Sequence, residues 1–364
     1  MFSRRLAAVL SVASIGSQCE ELSIAIDGET SKALNYVSLT GKAFPGDRVI
    51  VNTTAVELGL GSGGYHFVML NLKQPEQTLD GVGHILKLRY TPMQLRVLSV
   101  EEEESPYHQV MAQAASLAGM PVAVAELHSM LAPLALLLKE EKPGIRLAYL
   151  MTDGGALPAF FSRSLSELRR QGIICGTITT GHSFGGDLEA INVYSGLLAA
   201  RHVLHADAAI ISMGPGAAGT GTKYGFSGLE TGDNLNRVSC LKGQAVMVCR
   251  VSFADCRERH RGISHHTLTA LATSTLVSVH LPLPLLAAAE QQFLAAQLDE
   301  SGLADKHSVF YYDELSLKIL AENKHFCLTM GRSLEEDSAF FLAVAAAARH
   351  LSALLSGVSA GLQE

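Results

Sequence analysis

Residues 181–187 read Gly-His-Ser-Phe-Gly-Gly-Asp and contain the G-x-S-x-G pattern that presents a serine nucleophile in α/β hydrolases. In those enzymes the pattern forms a sharp turn between a strand and a helix. Here an apolar stretch precedes it and a helix-like stretch, 188–203, follows it. Ser183 is therefore either a nucleophile or part of a glycine-rich turn in which Asp187 caps the following helix.

The rest of the chain favours the turn over a catalytic Ser183. A hydrolase needs an acid and then a histidine after the serine, and such residues occur at Asp207, Asp233 and Asp255, and then at His260, His265 and His266. The difficulty is the oxyanion loop, because Asp153-Gly154-Gly155 lies only one helix and one strand upstream of Ser183. Hydrolases have more of the sheet between these two loops. A serine hydrolase built on Ser183 is kept as the alternative function.

Glycine-rich loops follow three consecutive predicted strands. They contain Gly154 and Gly155 after 146–151, Gly185 and Gly186 after 173–179, and Gly214, Gly216 and Gly219 with Thr220 after 208–213. Ligands of open parallel sheets bind beyond the carboxyl ends of the strands, and glycine lets the backbone approach a ligand closely. We therefore predict that these loops line one ligand-binding cleft.

The third loop formally contains the dinucleotide-binding pattern G-x-G-x-x-G at residues 214–219. That pattern requires a helix to begin at once, whereas the next helix is expected only at about Leu229. A plain NAD site is therefore disfavoured, and a longer anion-binding loop is the better interpretation. The cofactor stays unknown at this point.

A basic segment at 255–267 strengthens the prediction of an anion site. Arg257, Arg259, Arg261 and His265 crowd the start of a predicted helix for which Ser264 is a suitable N-cap. Cations are normally disfavoured at a helix N-terminus, so their presence there indicates a bound phosphate or carboxylate. The alternative is a solvated basic loop paired with Glu258 and Asp255.

Four residues near these loops are predicted to supply acid–base chemistry: Asp153, His182, Asp187 and His266. Glu126 and His128, just after strand 121–125, are further polar candidates at the same edge of the sheet. The histidines could instead hold a metal, with ligands from several loops. We assign no metal, because adjacent residues such as His265 and His266 are not expected to face one point on a helix and no ligand-pair spacing is recognisable.

Two domains are expected to carry these residues. Short apolar segments separated by turn residues at 22–27, 48–52, 65–71 and 84–90 predict a small all-β barrel or sandwich over 1–104. From residue 105 to 364, strands alternate with helices, which predicts a three-layer, Rossmann-like α/β domain with a mostly parallel sheet. The carboxyl ends of those strands would position the glycine loops.

Composition limits the class of partner. The 364 residues are 48% hydrophobic and 17% charged with a net charge of −7, which argues against a nucleic-acid coat or a membrane-surface protein. Six scattered cysteines without a C-x-x-C pair indicate a reducing compartment. Residues 1–16 mimic a secretory signal but lead into 22–27 as one strand leads to another, so a leader is disfavoured.

The chain resembles one uncharacterised bacterial protein family that is known only as a domain of unknown function. The resemblance is carried by ELHSMLAP (126–133), MTDGGALP (151–158), GHSFGGDLEAINVYSGLLAA (181–200), GPGAAGTGTKYGFSG (214–228) and RERHRGISHHT (257–267). The motifs are long, and the resemblance covers essentially the whole chain, from about residue 4 to the TMGRSLEED motif at 329–337. The resemblance implies a cytoplasmic bacterial protein, but it supplies no activity and therefore no catalytic residue.

The sequence thus favours a cytoplasmic enzyme or binding protein for a phosphorylated or otherwise anionic small molecule. A non-catalytic sensor or assembly protein is a further alternative, in which the β domain and the apolar C-terminal helix mediate self-association. The high apolar fraction makes a homodimer an expectation of the same kind.

Overall fold

A computed structural model describes residues 1–357 and the backbone of residues 362 and 363. The chain divides into two compact units, Met1–Val97 and Leu98–Glu364. The structure thus ends the first unit at Val97, whereas the sequence pattern puts the boundary after residue 104.

The first unit is a closed five-stranded barrel with strand order β1-β2-β3-β5-β4. Its elements are β1 (Arg4–Ser14), β2 (Cys19–Ile26), β3 (Glu29–Tyr36), α1 (Val37–Thr40), β4 (Arg48–Asn52), α2 (Thr54–Glu57), β5 (Tyr65–Asn71), β6 (Ile85–Lys87) and β7 (Leu95–Val97). The barrel closes because β1 pairs with β4, and its centre is filled by alternating apolar side chains such as Leu22, Ile24, Val49 and Val51. The predicted small β domain is confirmed as a barrel.

The hairpin between β2 and β3 shows how local sequence sets the barrel register. Asp27 and Gly28 have φ values of +50° and +87°, and Ile26 pairs with Glu29 across them. Two successive residues with positive φ form the type I′ turn, whose twist matches that of the flanking strands. The Asp-Gly pair therefore fixes the pairing of β2 with β3. The arginine-containing run near the N-terminus forms β1.

The second unit alternates strands and helices as predicted. Its elements are α3 (His108–Gln113), β8 (Pro121–Ala125), α4 (Leu131–Glu141), β9 (Leu147–Thr152), α5 (Arg163–Arg170), β10 (Gly176–Thr180), β11 (Leu188–Ala190), α6 (Val193–His202), β12 (Ala208–Met213), α7 (Glu230–Cys240), β13 (Gln244–Val248), β14 (Val251–Ser252), β15 (Gly262–Ile263), α8 (His265–Thr269), β16 (His280–Pro284), α9 (Ala288–Ser301), α10 (Leu303–Lys306), β17 (Ser308–Tyr312), α11 (Lys318–Glu322), α12 (Ser338–Ser356) and β18 (Leu362–Gln363).

The main sheet has nine strands in the order β11-β10-β9-β12-β8-β13-β16-β17-β18. All neighbouring pairs are parallel except β17 with β18. Alternate residues of a strand enter opposite layers: Val122 and Val124 pack with α6, α7 and α9, whereas Ala123 and Ala125 pack with α4 and α12. Helices thus cover both faces, and the predicted three-layer α/β fold is confirmed.

Helix α12 is long and apolar enough to cross a membrane by length and composition alone. In this structure, however, 67% of its apolar window is buried. Phe341, Val344 and Leu351 pack in the same core layer as α4. Its composition is therefore that of a core helix.

Candidate functional site

Ser183 lies in the interior of the second unit. Its side chain is fully buried, and Oγ donates a hydrogen bond to the carbonyl oxygen of Thr152 at 2.8 Å. A nucleophile must reach its substrate, and this hydroxyl is instead fixed between the ends of two neighbouring strands. The geometry gives no support to the serine-hydrolase alternative.

Asp187 has a structural role that differs from the predicted one. Its carboxylate accepts a hydrogen bond from the backbone N–H of Thr177 at 2.8 Å and is paired with the guanidinium of Arg169. The next residues form β11, and α6 starts later with a capping box formed by Asn192 and Ser195. The prediction of Asp187 as a helix N-cap is wrong, because a short strand intervenes before the helix.

Most of the glycines in the predicted cleft are required by contacts within the protein. A Cβ on Gly155 would overlap the carbonyl oxygen of Gly214, and one on Gly214 would overlap that of Ala156. Gly154, Gly185 and Gly186 are similarly crowded, by Glu230, by the ring of Phe160 and by neighbouring backbone, respectively. Gly216 has open space, while Gly219 lies against Phe226 and His266. The loops after β9 and β12 therefore interlock.

The carboxylate of Asp153 contacts the backbone of His182 and lines an acidic cavity. The backbone N–H of His182 donates to the Asp153 carboxylate at 2.9 Å. Asp153 lines a cavity of about 320 Å³ together with Glu230, Asp233 and Arg237. Burial raises the pKa of Glu230; its hydrogen bond from Thr152 opposes the rise, and nearby Asp153 adds to it. Three carboxylates against one guanidinium make this cavity unsuitable for an anion.

A larger cavity of about 430 Å³ lies beside α9 and the start of β17. Its lining includes Asp299, His307 and Tyr311. The cavity is at the opposite end of β17 from the carboxyl ends of the parallel strands, and none of the residues predicted to act on a ligand lines it. The better candidate for a ligand site is therefore the carboxyl edge of the sheet.

Glu126 and Arg250 meet at that edge, where the strands β8 and β13 end side by side. Ala125 pairs with Val248 in the last register position, so the residues that follow are neighbours. From β8 the chain continues to β9 on one side, and from β13 it continues to β16 on the other. Such a divergence is the topological switch point at which open α/β sheets bind ligands.

Glu126 is buried and makes three polar contacts. One oxygen accepts from Nδ1 of His266 at 3.1 Å and lies 3.5 Å from Nη1 of Arg250; the other accepts from the hydroxyl of Thr267 at 2.7 Å. Burial alone would raise the pKa of this carboxyl, but His266, Arg250 and Thr267 together lower it. Glu126 is therefore held as a carboxylate.

Together with Glu126, two further carboxylates balance the charge of three guanidinium groups. Asp255 lies within 4 Å of Arg250, Arg257 and Arg332, and Asp337 pairs with Arg332 at 2.9 Å. The hydrogen bond from Arg257 is the main reason that the pKa of Asp255 is far below its usual range. Arg257 thus holds Asp255, and the network contains as many carboxylates as guanidiniums.

The other two predicted arginines differ from Arg257. The guanidinium of Arg261 lies over the ring of Phe293, 5.5 Å from its centroid. Arg259 is exposed and makes no ion pair or hydrogen bond with any residue that the structure describes. Its Nη1 lies 4.0 Å from the position of a Cβ on Gly221, beside Thr220 and the rest of the third glycine loop.

Three histidines surround the start of α8. The rings of His265 and His266 have centroids 4.3 Å apart, and the ring of His260 lies within 5.1 Å of both. Burial, followed by the charges of Arg250 and Arg257, lowers the pKa of His260 to about 3. Burial, followed by the charges of His266 and Arg259, lowers that of His265. The expectation that adjacent histidines cannot face one point does not hold here.

The helix after these histidines is shorter than predicted. A helix is expected over 265–277, but α8 ends at Thr269 and continues as a π turn, Ala270–Ser274. Ser264 is the N-cap as predicted, because its Oγ accepts from the backbone N–H of His266. A helix of five residues has only a weak dipole, so an anion that binds here must be held mainly by side chains.

His128 braces the core. Its Nε2 hydrogen-bonds with Ser162 Oγ at 2.6 Å, and its Nδ1 lies 3.2 Å from both the Tyr149 hydroxyl and the Met213 carbonyl oxygen. Burial lowers its pKa to about 4. Both ring nitrogens are engaged and the histidine is kept neutral, so His128 links strands rather than facing a ligand.

The structure thus separates the predicted site residues into two groups. Asp153 lines the acidic cavity, and the backbone N–H of His182 contacts its carboxylate. His265, His266, Arg259 and Gly219 lie near one another at the switch point. Sequence reasoning did not single out Glu230 or Arg250. The one indication of Arg250 in the sequence is its position two residues beyond a buried strand, where ligand-binding residues of such sheets are expected.

Comparison with known proteins assigns the chain to a family without assigning an activity. The family model described as "Protein of unknown function (DUF3866)" matches residues 32–348. No match was found among curated proteins or among solved structures. Because the matched segment covers most of the chain, from the second half of the barrel to α12, this protein belongs to the DUF3866 family of proteins of unknown function.

Proposed function

We propose that this protein binds a phosphorylated or otherwise anionic small molecule at the carboxyl edge of β8 and β13, between Arg259 and the loop of residues 214–222. The observation that carries the proposal is the state of Arg259. This guanidinium is exposed and lacks an ion pair or hydrogen bond among the described residues, whereas Arg257 and Arg250 beside it hold Asp255. An unpaired guanidinium at a switch point suits a carboxylate or phosphate ligand.

The charge distribution around Arg259 supports this choice. Glu126, Asp255 and Asp337 balance three guanidiniums, so Arg259 adds a positive charge that the network does not neutralise. The acidic cavity at Asp153 has the opposite character. Of the two clusters at the carboxyl edge, only the one at β8 and β13 attracts an anion.

The loop opposite Arg259 is polar and exposed. Thr220 and Thr222 are exposed, and their hydroxyls are 2.9 Å apart, with that of Thr220 donating to the Gly225 carbonyl oxygen at 3.0 Å. Gly221 has φ of +77° and no side chain between the loop and Arg259. The loop can therefore receive an anion without moving a side chain out of the way.

A thermal-shift titration with inorganic phosphate, phosphorylated metabolites and nucleotides tests the proposal. A ligand at about a hundred times its Kd stabilises the folded state by roughly 2.7 kcal/mol. The variant Arg259→Gln should bind the best ligand about 10- to 100-fold more weakly, which corresponds to about 1.5–3 kcal/mol for a charged hydrogen bond.

The control for the arginine variant is Arg48→Gln, which removes an exposed positive charge from β4 in the barrel. It should bind the ligand as the wild type does. Equal affinity in wild type and Arg259→Gln, or equal losses in both variants, would sink the proposed site.

A further inference from the structure

The histidines His260, His265 and His266 have the arrangement of a set of metal ligands. One ring nitrogen from each lies within 4.8 Å of one ring nitrogen from each of the others. They come from two short elements, the 3-10 turn Glu258–His260 and the first turn of α8. Phe226 packs on two of them, stacked on His266 at 3.9 Å and edge-on to His265 at 5.9 Å. The aromatic ring therefore keeps these imidazoles close together.

Hydrogen bonds orient two of the three rings as in a metal site. Nδ1 of His266 donates to Glu126, and Nδ1 of His260 lies 2.8 Å from Ser264 Oγ. Metal-binding histidines usually donate their second ring N–H to a carboxylate or another acceptor, which fixes the tautomer and directs the free nitrogen at the ion. In both residues this leaves Nε2 as the ligand atom.

The third ring supplies an independent observation. Nε2 of His265 is buried and has no hydrogen-bond partner among the described residues. Buried polar atoms are nearly always satisfied, so such an atom needs an explanation. A ligand bound by this nitrogen provides one.

We propose that His260, His265 and His266 bind one divalent transition metal ion, with Zn²⁺ as the best match, through their Nε2 atoms. Zinc takes imidazole nitrogens at about 2.0–2.1 Å in tetrahedral geometry, which sets the three nitrogens roughly 3.3 Å apart. The ligand atoms now lie within 4.8 Å of one another, so binding of the ion would draw them together by up to about 1.5 Å. Three protein ligands leave one coordination position open.

Nε2 of His266 lies 3.8 Å from the position of a Cβ on Gly219, and Nη1 of Arg259 lies 4.0 Å from that of a Cβ on Gly221, so the metal site and the guanidinium lie against the same loop. The zinc site does not require the proposed anion site. Conversely, anion binding by Arg259 does not require the metal. The two proposals can therefore fail separately, and zinc is titrated without phosphate to keep them apart.

The test is a titration of the metal-stripped full-length protein with Zn²⁺ in a calorimeter, followed by Co²⁺ as a spectroscopic probe. One Zn²⁺ per chain is expected, and Co²⁺ should give the visible absorption of a four-coordinate nitrogen site. His265→Ala should weaken Zn²⁺ binding at least 10-fold. His325→Ala, which removes an exposed histidine from the turn after α11, should bind as the wild type does.

A second variant and a control complete the test. If His265→Ala does not fold, as judged by circular dichroism, His265→Gln replaces it and the same loss of Zn²⁺ affinity is expected. Arg259→Gln should keep wild-type Zn²⁺ affinity even where it loses phosphate. Absence of stoichiometric Zn²⁺ binding in the folded wild-type protein, or equal affinity in wild type and the folded His265 variant, overturns the metal site.

Discussion

Glu126 accepts a hydrogen bond from Nδ1 of His266 although the two residues are 140 positions apart in the chain. The same carboxylate oxygen lies 3.5 Å from the buried guanidinium of Arg250. One oxygen atom thus joins the end of β8, the segment after β13 and the start of α8. The orientation of the histidine cluster depends on this contact.

Glu126→Gln should destabilise the second unit by about 1.5–3 kcal/mol, because the buried guanidinium of Arg250 loses one of its two carboxylate partners and keeps only Asp255. Urea denaturation followed by circular dichroism measures the change. Glu141→Gln is the matched control, since it removes a more exposed partner of Arg349 and should cost about 1 kcal/mol or less. Similar losses in both variants would show that the Glu126 contact has no special weight.

Ser183→Ala should leave ligand binding unchanged and cost only about 0.5–1.5 kcal/mol, the net value of one intramolecular hydrogen bond. A fluorophosphonate probe should not label the wild-type protein, because the hydroxyl is fully buried. Intact-mass spectrometry detects any adduct. Labelling that disappears in Ser183→Ala would revive the hydrolase alternative.

Gly155→Ala should destabilise the protein by about 1–3 kcal/mol, because its Cβ would overlap the backbone oxygen of Gly214 and the two loops would have to separate. Gly144→Ala provides the comparison, since a Cβ there has open space and φ is not positive. That variant should be neutral or slightly more stable. Melting temperatures of both variants measure the difference; equal values would mean that the interlocked loops yield easily.

The buried pair His280 and His350 should make stability fall as the pH drops below 6.5. Nδ1 of His280 lies 2.6 Å from Nε2 of His350, whose Nδ1 lies 2.7 Å from the Tyr312 hydroxyl. Burial, and then the proximity of His280, lowers the pKa of His350 to about 3, and burial lowers that of His280. Below about pH 6.5 these histidines therefore bind protons in the unfolded chain but stay neutral in the folded protein.

For one such group, the loss is about 1.4 kcal/mol per pH unit well below pH 6.5. His350→Gln removes that group, so its unfolding free energy should depend less steeply on pH between 6.5 and 4.5. Urea midpoints at four pH values provide the comparison. Parallel pH profiles for wild type and variant would exclude His350 as a source of the acid sensitivity.

The predicted strands at 121–125 and 208–213 have the observed bounds because buried parallel strands are continuously apolar. Helix starts were harder to predict. β11 consists of three residues directly before α6, so its sequence merges with the helical pattern. The four consecutive glutamates at 101–104 have the composition of an exposed segment, yet Glu102 is buried and accepts a hydrogen bond from the backbone N–H of Ser99. Tertiary contacts override local charge at that point.

The part of the candidate site that lies in one continuous segment could be predicted from the sequence. The basic and histidine-rich segment identified Arg259, His265 and His266 because chemistry-bearing residues crowd together there. The pairing of Arg257 with Asp255 was only one of two open interpretations. The sequence could not show which arginine lacks a carboxylate partner. That depends on how Arg250 and Arg332 pair with the buried residues Asp255 and Asp337, and these four residues meet only in the folded chain.

The position of β12 between β8 and β9 has a consequence for synthesis of the chain on the ribosome. β8 and β9 emerge in succession, but they cannot pair with each other, since the strand that joins them is completed only at Met213. Until then both strands expose apolar edges that could pair with another nascent chain. The nascent chain is therefore most exposed to incorrect strand pairing while the residues between Thr152 and Met213 are being synthesised, before β12 is inserted between β8 and β9.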